Sequence, residues 1–169
     1  MKRAVLLVAA TFLVSNVGCA GWKSMLANAT AIGHERKQRD ADAIRTFDEH
    51  RDAAQLQAAL DRWQQGDVQA CERYLTVLAQ RRPDFADARL HLGELLWSRG
   101  ESGEAETHLR AALSSQPNRA DVHHALALLL DGTGRSEEAR AHFLRAVELE
   151  PENEIYQLTC ESLPAPGSN

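Results

Sequence analysis

The amino-acid sequence predicts an all-α fold built from repeated helical hairpins, and two observations support this prediction. First, aromatic residues make up only 5% of the chain while alanine and leucine are abundant, a composition that favours helices over strands. Second, the same residue pattern recurs every 34 residues through the second half of the chain. A period of this length is typical of repeat proteins, in which each repeat is one small helical unit.

The recurrence links equivalent positions in three consecutive segments. Glycines, prolines and apolar positions all follow the same step. The linked sets are Gly66, Gly100 and Gly134; Pro83, Pro117 and Pro151; Cys71, Ala105 and Ala139; Leu75, Leu109 and Phe143; and Leu78, Ala112 and Ala146. This register predicts that Cys71 is a small core residue, and it places Cys160 too far along the stack for a disulfide.

Within each segment the pattern predicts two antiparallel helices. Apolar residues spaced three and four apart precede Gly100, which is expected to end a helix in a left-handed conformation. Small side chains at Gly93 and Ala105 should let the two helices approach closely, with Leu109 beside them. Each proline ends the second helix or opens the next one, because it cannot occupy a helix interior.

This order of small, bulky and proline positions resembles the tetratricopeptide repeat. The resemblance covers three repeats, at 52–85, 86–119 and 120–153, and implies a right-handed superhelical stack. A C-terminal capping helix is expected over 153–162. A capping-box pattern at Thr46 and Glu49 predicts that the repeat domain spans 46–163 and that its first helix begins near Phe47. Residues 19–45 are interpreted as a tether with an N-terminal cap helix within 34–45, and 164–169 as a tail.

The N-terminus has the charge and length of a secretory signal peptide over residues 1–18. Lys2 and Arg3 precede the apolar run Ala4–Val14, and small residues follow. The run is shorter than the roughly 20 apolar residues of a spanning helix. The sequence therefore predicts an exported protein.

The segment Val17-Gly18-Cys19 resembles the end of a bacterial lipobox, although Asn16 stands where leucine or valine is usual. The resemblance implies that Cys19 is lipidated and anchors the protein to a membrane. Because Ala20 follows the cysteine, it also implies an outer-membrane lipoprotein of the cell envelope that faces the periplasm. The alternatives are cleavage after Ala20, which gives a soluble periplasmic or secreted protein, and an uncleaved anchor.

The sequence patterns that would indicate an enzyme, a metal site or a nucleic-acid site are incomplete in this chain. The stretch Leu128–Arg140, "LLLDGTGRSEEAR", lacks the strand and the Gly-Lys-Ser/Thr ending of a phosphate loop, and Gly134 falls at a repeat turn. His123 and His124 are adjacent and point to different sides of a helix, while His108 and His142 are interpreted as solvated residues. A net charge of −5 disfavours nucleic-acid binding. We therefore expect no catalysis, metal or cofactor.

What remains is a surface for a protein or peptide partner. The resemblance implies that the first helices of the repeats line a concave groove, and its two tryptophans occupy one repeat position. The expected groove residues are Leu56, Leu60, Trp63, Leu90, Glu94, Trp97, His124, Leu128 and Asp131. The lysine and asparagine clamp with which some family members hold a carboxyl terminus is missing.

Two functions stay open from the sequence. The first is a non-catalytic scaffold for the assembly of an envelope complex that binds its partner through an apolar groove. The alternative is a self-associating structural protein whose groove forms a homodimer or is covered by its own N-terminal helix.

Overall fold

The computed structural model describes residues 19–162, with side-chain surroundings from residue 30 onward. Regular structure in this part of the chain consists of α-helices alone. They are α1 (Cys19–Gln64), α2 (Val68–Arg81), α3 (Ala86–Ser98), α4 (Ser102–Ser115), α5 (Ala120–Gly132), α6 (Ser136–Leu149) and α7 (Glu154–Glu161). The signal peptide expected at 1–18 and the tail expected at 164–169 lie outside the described residues. The chain divides after His50 into two compact units.

In the N-terminal unit, residues 19–33, interpreted as a tether, are helical. The prediction that a helix begins near Phe47 is wrong, because α1 continues through that position. The Thr46 hydroxyl donates to the carbonyl oxygens of Asp42 (2.7 Å) and Ala43 (3.1 Å), so it is used inside the helix and not as a cap. Almost every side chain over 30–50 is exposed, including Ile44 and Phe47.

In the C-terminal unit, the helices pack as antiparallel hairpins, with α3 against α4 and α5 against α6. Each hairpin buries an apolar stripe, and the buried side chains join into one main core that includes Leu75, Leu95, Leu109, Leu126 and Phe143. Burial of such side chains contributes roughly 1.5–3 kcal/mol each. The predicted all-α repeat fold is confirmed.

The three repeat glycines occupy identical turns. Gly66, Gly100 and Gly134 have φ of 81°, 85° and 81°, a left-handed conformation that glycine adopts without a steric cost. The N–H of Gly134 donates to the Asp131 carbonyl oxygen at 2.9 Å, and the next N–H, of Arg135, donates to that of Leu130 at 2.9 Å. These bonds close the end of α5. "LLLDGTGRSEEAR" is therefore a helix end and a turn followed by α6.

Two small residues hold α3 close to α4, as the sequence predicts. A Cβ atom added at Gly93 would lie 2.8 Å from the Leu109 Cγ atom and 3.2 Å from the Ala105 carbonyl oxygen. Real Cβ atoms do not approach carbon this closely, so only glycine fits without displacement of α4. Cys71 is a fully buried core residue, as predicted, and both Cys71 and Cys160 carry free thiols.

A buried carboxylate on α1 joins that helix to the C-terminal end of α2. Asp52 is only 2% exposed. It accepts hydrogen bonds from Arg81 and, at 2.9 Å, from the Arg82 Nη1 atom, with Arg51 at 3.4 Å. A buried charge requires such partners, because its desolvation costs several kcal/mol. Nothing in the sequence pattern indicated this cluster.

Candidate partner-binding groove

A pocket lies between α3, α5 and α7. Its volume is about 230 Å³. Four of the predicted groove residues line it together, namely Glu94, Trp97, His124 and Leu128. The other lining residues are Leu109, Asp121, Ala125 and Tyr156. We call this site the Trp97 pocket.

The remaining predicted groove residues lie elsewhere in the repeat unit. Leu56 and Trp63, on the last turns of α1, are half-buried against the core, and Leu60 is half-buried. Leu90 is itself a core residue with 5% of its surface exposed. Its position inside the stack leaves little surface for a ligand. Asp131 is exposed at the end of α5, where it accepts a hydrogen bond from the Ser136 hydroxyl at 2.8 Å.

Trp97 is the central apolar residue of the pocket. It is half-buried and packs against the hydrophobic core, as Leu128 does on α5. A Cβ atom added at Gly132 would meet the Trp97 Cζ2 atom at 3.5 Å, so the indole ring reaches the C-terminal turn of α5. Leu109, which is 1% exposed, forms the floor. The pocket therefore presents an aromatic side chain beside aliphatic carbon.

An arginine bridges two of the surrounding carboxylates. The Arg119 Nη2 atom lies 2.8 Å from an Asp87 oxygen, and its Nε atom lies 2.9 Å from an Asp121 oxygen. Partial burial acts to raise the pKa of Asp121, but the hydrogen bonds and charge of Arg119 outweigh it and lower that pKa overall. Asp121 is therefore ionised at neutral pH.

Two rings, of His124 and Tyr156, line the pocket at α7, and the buried Phe143 packs against His124. The His124 ring centroid lies 4.8 Å from that of Tyr156 and 5.6 Å from that of Phe143, the latter pair edge to face. Burial lowers the pKa of His124, so the ring is neutral at pH 7. Its Nε2 atom is buried without a hydrogen-bond partner. Sequence reasoning missed Tyr156, whose only signal was its place in the expected capping helix.

A second pair of histidines links α5 to α6. The Nδ1 atoms of His123 and His142 are 2.9 Å apart, and the His123 Nε2 atom is 3.0 Å from the Pro117 carbonyl oxygen. Only one proton fits between the two Nδ1 atoms. The interpretation of His108 and His142 as solvated is wrong, because both side chains are half-buried and the His108 Nδ1 atom is fully enclosed.

Two sequence-family models settle the nature of the repeats. Both describe the tetratricopeptide repeat, and they match residues 62–129 and 120–153. The chain belongs to the tetratricopeptide repeat family. This confirms the resemblance drawn from the 34-residue period. No curated protein sequence matches the chain significantly.

Solved tetratricopeptide repeat structures share the fold. A mutant O-GlcNAc transferase of Thermobaculum terrenum is 32% identical over 65% of this chain and 22% of its own, with a TM-score of 0.59. The first such domain of Spaghetti (RPAP3), bound to the HSP90 peptide SRMEEVD, is 14% identical over 66% of this chain and 89% of its own, with a TM-score of 0.62. The Yersinia enterocolitica secretion chaperone SycD, with a peptide of the translocator YopD, is 18% identical over 66% and 87%, with a TM-score of 0.60.

The extent of these matches limits what each of them shows. The chain spans less than a quarter of the transferase, and the likeness lies in the repeat part of that enzyme. The other two identities are low enough that they establish the fold alone. Within residues 19–162, no helix has the length and apolarity of a membrane span, and no cluster of three or more His, Cys, Asp or Glu side chains is placed to bind a metal.

Proposed function

We propose that this protein is a non-catalytic scaffold that binds a protein or peptide on the concave face of its repeats, and that a lipid on Cys19 holds it at a bacterial membrane. Membership of the tetratricopeptide repeat family supports the proposed interaction role. Two solved relatives of the same fold, the Spaghetti domain and SycD, are bound to peptides. Members of this family and its peptide-binding neighbours are generally non-catalytic.

The observation that carries the proposal is the half-exposed tryptophan in the Trp97 pocket. Trp97 and Leu128 keep part of their apolar surface open to a 230 Å³ pocket whose wall also includes Tyr156. Tryptophan and tyrosine are the residues most often found as energetic anchors of protein interfaces. When a partner covers apolar surface that is accessible in a concave site, the burial of that surface stabilises the complex.

Replacement of Trp97 tests this proposal. Trp97→Glu places a charge where the partner's apolar group would bind, and we expect partner recovery from native membranes to fall at least tenfold, as judged by quantitative mass spectrometry. Tyr74→Glu is the matched control, since Tyr74 is 39% exposed on α2 and is not a lining residue. Circular dichroism checks that both variants are folded. Equal recovery with wild type and Trp97→Glu would reject the groove as the binding site.

The lipid anchor needs its own test. A diacyl or triacyl group would bury many CH₂ groups at about 0.8 kcal/mol each, so Cys19→Ser should move the protein from the membrane fraction to the soluble fraction. Mass spectrometry of the mature N-terminus measures the modification directly. A Cys19→Ser protein that remains in the membrane fraction would contradict lipidation and favour an uncleaved leader.

Self-association is the second candidate function. Ile155 and Leu158 on α7 are 62% and 65% exposed, which leaves apolar surface at the last described helix. SycD, a relative by fold at 17% identity, also crystallised as a dimer. Analytical ultracentrifugation of the protein without Cys19 distinguishes the candidates. A monomer at about 50 μM would reject self-association, because obligate dimers are tighter than this.

A further inference from the structure

We infer that the Trp97 pocket selects peptide segments in which an aliphatic or aromatic side chain is flanked by lysine or arginine. This inference rests on the proposed function, because it names the chemistry of the partner at the same concave site. It goes further in predicting the sign of the partner's charge. The pocket's size, the polarity of its lining and the placement of its carboxylates carry the inference.

The size of the pocket fits a side chain. Its volume of about 230 Å³ is below the roughly 300–1,000 Å³ of sites that enclose whole small molecules. The apolar floor and wall come from Leu109, Trp97 and Leu128. One large apolar side chain of a peptide would therefore fill the pocket, while the neighbouring peptide residues would lie over its rim.

The charged side chains at this site are acidic. Glu94 and Asp121 line the pocket, and the lining set contains no lysine or arginine. The side chain of Glu94 is 39% exposed, with one oxygen 2.9 Å from the His91 Nδ1 atom. His124 contributes no positive charge at neutral pH, because burial lowers its pKa.

Arg119 only partly offsets this charge. It is shared between Asp87 and Asp121, so that cluster of one guanidinium and two carboxylates carries a net charge of about −1 when all three groups are ionised. Glu94 adds a further negative charge, and Asp131 lies exposed at the end of the same helix as Leu128. A lysine or arginine beside the anchoring side chain would meet these carboxylates, whereas an acidic residue would be repelled.

The same arrangement argues against an acidic partner. The peptide SRMEEVD bound by the Spaghetti domain carries three acidic side chains and only one arginine, so its side chains have a net negative charge. At the Trp97 pocket such a peptide would place its charges against Glu94 and Asp121. Juxtaposed like charges cost free energy and exclude the wrong partners. The two proteins thus share a fold but should differ in the charge of the segment they accept.

Selection from a random peptide library tests the inference. Phage-displayed heptapeptides are panned against wild-type protein and counter-selected against Trp97→Ala, which removes the indole ring without adding a charge. We expect enriched peptides to carry lysine or arginine within two positions of an aliphatic or aromatic residue. Enrichment of acidic peptides, enrichment without a charge preference, or no enrichment that depends on Trp97 would each overturn the inference.

Charge reversal then tests the assigned carboxylate. The most enriched basic peptide is synthesised and its affinity is measured by fluorescence anisotropy. Glu94→Lys should weaken binding about tenfold at low salt, since it replaces attraction by repulsion at short range. Glu152→Lys makes the same change at an exposed residue outside the pocket and should change affinity less than twofold. Equal effects of the two substitutions would contradict the inference.

These experiments separate failure of the inference from failure of the proposed function. If the native partner is lost with Trp97→Glu but the selected peptides show no basic preference, the groove binds a partner of different charge and only the inference fails. If Trp97→Glu retains the native partner, the proposed binding site itself is wrong.

Discussion

The first and third repeats build the same helical hairpin with different chemistry. At one repeat position, the first repeat has the buried carboxylate of Asp52, held by Arg81 and Arg82, whereas the third has Ala120. The third repeat instead joins its helices through ring contacts, with His123 on His142 and His124 on Phe143, and His124 also contacts Tyr156 on α7. The 34-residue period thus specifies the backbone spacing but not the interaction that fills each position.

The largest expected effect comes from removal of the buried carboxylate. Asp52→Ala leaves Arg81 and Arg82 without their shared partner, and loss of one member of a buried ion pair costs about 3–5 kcal/mol. Both arginine side chains are 34% exposed and can regain hydration. We therefore expect the free energy of unfolding, measured with urea, to fall by about 2–3 kcal/mol. Asp61→Ala, on the exposed face of the same helix, should cost less than about 0.5 kcal/mol. Similar losses of stability for the two variants would show that the Asp52 cluster contributes no more than an exposed aspartate does.

The glycine turns test whether the repeats unfold together. Gly66, Gly100 and Gly134 share a φ near +80° and have open space around an added Cβ atom. Valine at each position should therefore cost only backbone strain, about 1–2 kcal/mol, and should lower the melting temperature equally if unfolding is cooperative. Gly103→Ala, in the open first turn of α4, is the control and should be neutral or slightly stabilising. A melting temperature unchanged by Gly100→Val would contradict the assigned turn.

Structural features that recur in the repeats were predictable from the sequence, whereas features that occur once were not. The turns at Gly66, Gly100 and Gly134 and the close approach at Gly93 were predictable, because each is imposed by local backbone geometry or by a small side chain at a fixed register. Asp52 was not, because an aspartate in a polar stretch of helix gives no sign that two arginines about 30 residues later will pair with it in a buried site.

The candidate site was predicted in part for the same reason. Trp97 and Leu128 followed from the repeat register, whereas Tyr156 lies in α7, where no further repeat fixes the position. The capping box at Thr46 failed because a local motif has several uses. Within a continuing helix the same hydroxyl bonds back to Asp42.

The smallest expected effect is a loss of stability on mild acidification, and it should originate in the second and third repeats. Burial lowers the pKa of His108, His124 and His142. For His108 the charge of Arg89 adds to this and Glu104 opposes it. For His142 the charges of His123 and Arg110 add to it and Glu138 opposes it. All three rings are therefore harder to protonate in the folded protein than in the unfolded chain.

The direction of the pH effect follows from these lowered pKa values. The unfolded histidines take up protons as the pH falls through about 6.5, before the folded ones do, so acidification favours the unfolded chain. The contribution of the three rings is complete above that pH and decreases as the pH falls toward the folded pKa values. Urea unfolding between pH 8 and 5.5 should show this decrease, and His142→Gln should make it shallower. Exposed His34→Gln is the control and should leave the slope unchanged. A wild-type stability that is constant or rises as the pH falls over this range would contradict the role assigned to the rings.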